Sequence, residues 1–287
     1  MTVDVSVVMP VGGVDQHLPL QLDALCGQRF SGTWELVISL NSTDRADRVN
    51  VEALLADRST LCARIVDSSD VRSASHARNV GADEAEADLL AFCDGDDIAE
   101  ESWLAAMVAA LENAEAVGGH LGEERLAIEG QASWRPPATP GALPTFLGQP
   151  YLVTANMGLR RSAYELVGAF DTTLIRGEDI AFSWDLIDRG VELHYAPEAV
   201  IHYRHREGLL PMMKQHYLYG RGFSQILARR GVPGADQGST GLRSLRPNGQ
   251  PVDHRGFAYV LRRGAIAAGR VVGLVGERVG DWRKVAS

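Results

Sequence analysis

Three carboxylates stand together directly after a short apolar segment of this 287-residue chain. Leu89–Cys93 is followed by Asp94, Gly95, Asp96 and Asp97. A buried strand that ends in acids delivers them to the edge of a sheet, where open α/β folds bind their ligands. Crowded carboxylates repel one another unless a cation neutralises them, and Mg²⁺ or Mn²⁺ prefers such hard oxygen ligands. Because Mg²⁺ completes its shell with phosphate oxygens, the segment predicts a divalent metal and a phosphorylated substrate.

A second pair of acids, Glu178 and Asp179, opens a predicted helix whose apolar positions include Ile180 and Trp184. Acids at a helix start stabilise the helix dipole, and this structural role is one interpretation. The other is proton transfer, since a carboxylate that contacts an attacking hydroxyl can accept its proton. Trp184 reads as a core residue or, less commonly, as a platform for a sugar ring.

Five further side chains are candidates for ligand contacts, and three of them have two interpretations each. His202 and His205 are separated by two residues at the end of a predicted strand, where a histidine is either a metal ligand or an ordinary packed group. Arg204 and Arg206 are suited to diphosphate oxygens. For Arg78, the sequence is compatible with a phosphate contact and with a surface ion pair to a nearby acid.

The composition, 45% hydrophobic and 23% charged, is that of a soluble globular protein. Met1–Asp4 has no signal-like pattern, so we expect a cytoplasmic protein. The net charge of −9 is divided unevenly, because residues 200–287 carry 15 Lys/Arg and only 5 Asp/Glu. This basic region suits an anionic membrane surface or lipid phosphate at the inner face of the cell membrane, the acidic body of the protein itself, or a second copy. Three scattered cysteines predict reduced core thiols.

The elements that must position these residues alternate along the first hundred residues. Single helices separate the apolar segments, which indicates right-handed βαβ units and a mostly parallel sheet. The predicted strands are Val3–Met9, Trp34–Leu40, Cys62–Val66 and Leu89–Cys93, and the predicted helices are Leu18–Cys26, Arg45–Asp57, Arg72–Glu86 and Ser102–Glu115. Five prolines make Gln131–Pro150 a predicted loop.

The second half is predicted to be less regular. Its expected helices are Ser162–Val167, Ile180–Asp188 and the long basic Leu209–Arg230, and its expected short strands are Glu192–Tyr195 and Ala199–Tyr203. Gly231–Pro251 reads as a mobile segment, and Gly256–Val279 as a final helix whose internal glycines weaken the prediction.

Taken in order, these segments resemble the family 2 glycosyltransferases of the GT-A fold, over about residues 3–225. The motifs that carry the resemblance are Val5-Ser6-Val7-Val8-Met9-Pro10, Ala77-Arg78-Asn79-Val80-Gly81, Asp94-Gly95-Asp96, Thr154–Arg161, Gly168-Ala169-Phe170-Asp171, Gly177-Glu178-Asp179 and Ile201–Arg206. Several spaced motifs form a more specific match than any single one.

The resemblance implies roles for these residues. Asp96 would be the direct metal ligand, with Asp94 and His202 beside it. Asp179 would be the catalytic base, with Glu178 in a catalytic and acceptor-binding role and Trp184 at the acceptor. The donor-binding residues implied or inferred are Pro10, Val11, Asn41, Asp67, Arg78, Asp94, Gly95 and Asn156.

One departure from the family pattern concerns the end of the second strand. The family places there an acid that binds the base or ribose, whereas this chain has Leu40, and one residue is missing from the following segment. A leucine side chain accepts no hydrogen bond, so recognition must be altered or shifted to Asn41, Asp67 or Asp70. The resemblance otherwise favours a UDP-sugar.

We therefore predict an inverting, metal-dependent glycosyltransferase that uses Mg²⁺ or Mn²⁺, with a hydroxyl acceptor and no nucleic-acid partner. The acceptor would belong to a cell-surface polysaccharide, a glycolipid or a natural product. The predicted architecture is an α/β GT-A domain over residues 1–206, with a nucleotide-binding half at 1–115 and an acceptor half at 116–206. A basic helical extension follows at 207–287.

Two other functions compete with this one. A sugar nucleotidyltransferase also holds a metal and a nucleotide with acids at a strand end, but its triphosphate loop after the first strand is typically basic. Val11–Asp15 contains two glycines and no Lys or Arg. A non-catalytic carbohydrate- or lipid-binding module on the same scaffold would explain Leu40 but not the retained acids.

Overall fold

The computed structural model describes residues 2–127, 141–231 and 257–279. Half of the predicted loop at 131–150 and nearly all of the predicted mobile segment at 231–251 lie outside these residues. Within the described ranges, helices α1–α8 are Leu18–Cys26, Arg45–Ala56, Ala74–Glu84, Trp103–Leu111, Arg161–Val167, Glu178–Asp188, Leu209–Arg229 and Phe257–Val279. Strands β1–β10 are Val5–Val11, Trp34–Leu40, Ala63–Asp67, Leu89–Cys93, Ile98–Ala99, Ala116–Gly122, Thr145–Phe146, Gln149–Pro150, Asn156–Arg160 and Leu193–His202.

A mostly parallel central sheet organises the described chain in the order β3-β2-β1-β4-β9-β6-β10-β5. Strands β1 to β4 run parallel, as the alternation of strands and helices predicts. Strand β9, from the second half of the chain, is antiparallel to both β4 and β6. The two predicted halves of the 1–206 domain therefore share one sheet. The domain boundaries themselves stay a prediction.

Two apolar cores cover the faces of this sheet. One contains the inward side chains of β1 and β2 together with α1 and α4, including the fully buried Trp103. The other lies against α3, α5 and α6, and Phe92 contacts Phe170 edge-to-face there. Burial on both faces explains why β1, β2 and β4 read as continuous apolar segments. The sheet edge that carries the predicted acids is thus rigidly supported.

Several predicted elements need correction. The two strands predicted at Glu192–Tyr195 and Ala199–Tyr203 form one strand, β10, whose register shifts between Ala196 and Val200. Strand β6 was not predicted. The loop prediction for Gln131–Pro150 was wrong at its end, where β7 and β8 form a small hairpin. Cys26 and Cys62 are exposed, so only Cys93 is a core thiol.

Helix α8 packs along α7, and two of the glycines that weakened its prediction, Gly269 and Gly273, lie in this contact. A Cβ added at Gly220 would overlap the carbonyl oxygen of Ile266, and one at Gly269 would overlap that of Tyr217. The two backbones therefore approach too closely for any side chain at these positions. None of the described helices is long and apolar enough to cross a membrane.

Candidate active site

Strand β4 delivers the acid cluster to the carboxyl edge of the sheet. Asp94, Asp96 and Asp97 each place one carboxylate oxygen within 4.8 Å of the others. Burial and the charge of Asp94 raise the pKa of Asp96 above its usual range. Burial and the charges of Asp94 and Asp96 do the same for Asp97. Burial and, after it, the mutual repulsion of the carboxylates raise these pKa values, and a bound cation would relieve the repulsion.

Asp97, which received no role of its own from the sequence, connects the cluster to the segment after β10. Its Oδ1 accepts a hydrogen bond from the backbone N–H of Arg204 at 2.7 Å, and the Arg204 side chain donates to the Asp96 carbonyl oxygen at 2.8 Å. The second Asp97 oxygen is buried and has no hydrogen-bond partner among the described residues. A buried carboxylate oxygen without a donor, beside two further carboxylates, fits a hard divalent cation such as Mg²⁺ or Mn²⁺.

The second acid pair opens α6. Glu178 and Asp179 are its first two residues, and Asp179 Oδ1 accepts a hydrogen bond from Ile180 N–H at 2.8 Å. Burial, with the neighbouring charge of Glu178, raises the pKa of Asp179 to about 7. A carboxylate with such a pKa is a stronger base than a solvated one, so Asp179 is suited to accept a proton near neutral pH.

Arg78 joins the two acid clusters. Its guanidinium donates to Asp94 Oδ1 at 2.7 Å and to Glu178 Oε1 at 3.0 Å, and Arg78 is only 4% exposed. Burial works against the charge of Arg78, but Asp94 and Glu178 together raise its pKa. Asp94 after β4 and Glu178 at the start of α6 therefore flank one buried cation, although Glu178 and Asp179 are not among the residues that line the adjacent cavity.

Helix α7 and Asn79 hold the loop that leads into α6. Gln225 Oε1 accepts a hydrogen bond from Ile175 N–H at 2.9 Å, and Arg229 contacts the side chains of Asp171 and Thr173. Asn79 bonds both the N–H and the carbonyl of the Phe170 backbone. These supporting residues were not predicted. Asn79 directly follows Arg78 in a quoted motif, whereas no sequence signal marks Gln225.

A cavity of about 620 Å³ lies over the carboxyl edge of β1, β2 and β4. This volume is typical of small-molecule sites. It is lined by predicted residues, namely Pro10, Val11, Asn41, Arg78, Asp94, Gly95 and Asp96, and by residues to which no site role was assigned, namely Gly12, Gly13, Val14, Asp15, Leu18, Arg72, Ala74, Ala77 and Arg206.

Of the three predicted substitutes for the missing acid, Asp70 does not line the cavity and contacts His76 Nε2 at 2.7 Å, and Asn41 and Asp67 differ in position. Asn41 lines the cavity, but its side-chain amide donates to the carbonyls of Ser68 and Val71 and accepts from Ser73 N–H. Asp67 is not among the residues that line the cavity, and its carboxylate accepts a hydrogen bond from Ser69 N–H. Asn41 therefore organises the loop before α3.

Two other predicted residues lie away from the cavity. Asn156 is 1% exposed, donates to the carbonyls of His120 and Ala199, and accepts from Trp103 Nε1. Its hydrogen-bonding groups are thus used inside the fold, and the structure does not bring it to the donor site. Trp184 is 8% exposed and stacks on Phe146 at 5.6 Å between ring centroids, so the structure places it in the core.

The two histidines pair with glutamates. His202 Nε2 contacts Glu100, and His205 Nε2 lies 3.3 Å from Glu123. Among the described residues, the group that could hold a metal consists of the three aspartates. A metal-binding role of His202 stays a prediction that this geometry does not strengthen.

Comparison with known proteins adds to this picture. Among curated proteins, a "Pre-mycofactocin glycosyltransferase" of Mycobacterium tuberculosis is 29% identical over 175 residues, which is 53% of this chain and 34% of that protein. The chain thus spans about a third of the length of this relative.

Two solved structures share the fold. The mannosyltransferase PcManGT of Pyrobaculum calidifontis, in complex with GDP-Man and Mn²⁺, matches with a TM-score of 0.66 and 15% identity, over 99% of this chain and 83% of that one. Residues 1–349 of S. aureus TarS, in complex with UDP-GlcNAc, match with a TM-score of 0.54 and 16% identity, over 96% and 92%. These likenesses confirm the predicted GT-A fold. Residues 6–168 match the model of "Glycosyl transferase family 2", and the chain belongs to this family.

Proposed function

We propose that this chain is an inverting, divalent-metal-dependent glycosyltransferase that moves a hexosyl group from a nucleoside-diphosphate sugar to an acceptor hydroxyl. The observation that carries the proposal is the pair of hydrogen bonds from Arg78 to Asp94 and to Glu178. They link the acids suited to a metal diphosphate to the acid pair suited to proton transfer, and this reaction would require the two groups to be neighbours.

The donor would lie in the cavity with its diphosphate near Asp94 and Asp96. Asp96 would hold the metal with Asp94 and Asp97, whose unpartnered buried oxygen supports the assignment. The metal, when bound, would neutralise charge on the leaving diphosphate. Two structural neighbours were solved with GDP-Man and Mn²⁺ and with UDP-GlcNAc, which supports a nucleotide-sugar donor but leaves the base open.

Asp179 would accept the proton of the attacking hydroxyl, and Glu178 would orient the acceptor. The raised pKa of Asp179 gives it the basicity for this role. We assign no enzyme nucleophile, so the hydroxyl would attack the anomeric carbon from the face opposite the leaving group. Such a single displacement inverts the configuration.

The acceptor class follows less directly. The name of the mycobacterial relative makes a natural-product hydroxyl one candidate, beside a glycolipid or a cell-surface polysaccharide. Helix α8 exposes Val271, Val272 and Val275 in the basic C-terminal region. This apolar strip supports either peripheral contact with an anionic membrane or pairing with a second copy.

The proposal is tested by incubating the protein with a panel of nucleotide sugars and simple hydroxyl acceptors, with and without Mn²⁺. Metal-dependent release of nucleoside diphosphate with formation of a glycoside of inverted configuration is expected. Pyrophosphate release from a nucleoside triphosphate would instead indicate a nucleotidyltransferase. A binding module would show no turnover and an unchanged donor affinity in Asp96→Ala.

A further inference from the structure

The cavity has two chemically different ends. The acids that follow β4 lie on one side of β1, and β2 and β3 lie on its other side. The lining residues therefore run from Asp96, across the segment after β1, to Asn41 and Arg72. Arg72 lies between the end of β3 at Asp67 and the start of α3 at Ala74. If the diphosphate of the proposed donor occupies the acid end, the nucleobase occupies the Arg72 end.

Side-chain hydrogen-bond acceptors at the Arg72 end are already engaged. Asn41 Oδ1 accepts from Ser73 N–H at 3.0 Å. Leu40, which replaces an acid of the family pattern, is 4% exposed and belongs to the apolar core. Leu40 therefore offers a nucleobase no acceptor, and the Asn41 amide is used within the fold.

Arg72 supplies the complementary chemistry. Its side chain is exposed and, within the described part of the chain, makes no hydrogen bond or ion pair. A guanidinium presents several N–H donors in a planar fork and pairs best with two adjacent acceptors. Guanine offers such a pair in O6 and N7, the acceptors that arginine contacts most often in nucleic acids. Uracil offers carbonyl oxygens separated by an N–H.

We propose that Arg72 is a specificity-determining residue that makes this site prefer a guanosine diphosphate over a uridine diphosphate. This inference rests on the proposed function, because it places the diphosphate at the acids. It replaces the UDP preference that the family resemblance implies. The preference follows from the donor fork of Arg72 at the nucleobase end of the cavity.

Calorimetric titration of GDP, UDP, ADP and CDP into the full chain with Mg²⁺ tests the proposal. GDP is expected to bind about tenfold more tightly than UDP, which corresponds to about 1.4 kcal/mol. Arg72→Ala is expected to lower GDP affinity about tenfold and to leave UDP affinity within about twofold. Arg72→Lys keeps the charge without the fork, so it should lose most of the preference as well. Arg206→Ala, at the acid end of the same cavity, is the positional control and should weaken all four ligands alike.

The outcomes separate this inference from the proposed function. An equal loss for all four diphosphates in Arg72→Ala would assign Arg72 to the phosphates and overturn the base assignment. An unchanged GDP affinity in that variant, or a wild-type preference for another base, would overturn it too. In all these cases metal-dependent binding lost in Asp96→Ala leaves the glycosyltransferase proposal intact. Failure of all four diphosphates to bind would overturn both.

Discussion

The two acid clusters, the aspartates after β4 at the donor end and the pair at the start of α6, are built in different ways. At the donor end, Asp94 and Asp96 directly follow β4 and need only that strand to reach the sheet edge. In the other cluster, Asp179 follows a loop that is held by Gln225 of α7 and by Asn79 of α3. The first arrangement is local in sequence, and the second depends on contacts between distant segments. Donor binding and proton transfer, the roles proposed for the two clusters, should therefore respond differently to substitutions.

The largest expected effect separates chemistry from donor binding. Asp179→Asn removes the base while keeping nearly the same shape, so kcat should fall by about 1000-fold and the donor Kd should stay within about twofold. Single-turnover kinetics and calorimetry measure the two quantities. Asp185→Asn makes the same change at an exposed position of α6 and should leave kcat unchanged. Substantial residual transfer in Asp179→Asn would remove Asp179 from the role of base.

A substitution of Arg78 should affect both acid clusters at once. Arg78→Met leaves Asp94 and Glu178 without their shared partner, and small displacements of reacting groups cost about 100-fold in rate. We expect kcat/KM to fall by about 100-fold, with both a weaker donor Kd and a lower kcat. If only the donor Kd or only kcat changed, Arg78 would support only one of the two acid clusters.

The pH dependence should report Asp179. Its pKa is raised to about 7, so the carboxyl is protonated and inactive below that pH and ionised above it. The rate should rise about tenfold per pH unit in acid and level off above about pH 7. Glu178→Gln removes a charge that raises this pKa and should move the profile to lower pH. An unmoved profile in this variant would show that another group titrates.

A matched pair of glycines tests the support given by α7. Gly269→Ala puts a methyl group against the Tyr217 carbonyl and should cost roughly 1–3 kcal/mol of unfolding free energy. Gly264→Ala, on the same helix with open space around it, should stabilise by up to about 1 kcal/mol. Denaturant titration measures both. If α7 positions the loop that precedes Asp179, Gly269→Ala should also lower kcat more than donor affinity.

The smallest effect is expected at Trp184. Trp184→Phe keeps an aromatic ring against Phe146 and should cost about 1 kcal/mol of unfolding free energy with no change in the acceptor KM. Thermal unfolding and acceptor saturation curves measure these effects. A marked rise in the acceptor KM would restore Trp184 to the acceptor site.

The donor end of the cleft was predictable from sequence because its elements are locally specified. The segments Leu18–Cys26, Trp34–Leu40 and Leu89–Cys93 were predicted with their correct bounds. Each shows an apolar pattern bounded by polar or turn residues, and the aspartate cluster follows the last of them directly.

Strand β6 was not predicted because it contains glycines, which are uncommon in strands but are required here by close neighbours. It contains Gly118 and Gly119, and a Cβ at Gly119 would overlap the Asn156 side chain and the Ala199 carbonyl. The same close approach explains the position of Asn156. Its polar side chain suggested a ligand contact, but it donates hydrogen bonds to the backbone of neighbouring strands. Contacts between residues 36 and 43 positions apart leave no periodic signal in the sequence.

The position of Arg78 makes the two binding events thermodynamically interdependent. One guanidinium balances a carboxylate from each acid cluster, so a cation that draws Asp94 toward itself changes how much positive charge remains for Glu178. Linkage between equilibria is reciprocal, so an acceptor that engages Glu178 must alter donor affinity by the same factor. One buried side chain thus couples the affinities for the two substrates, whichever of them binds first.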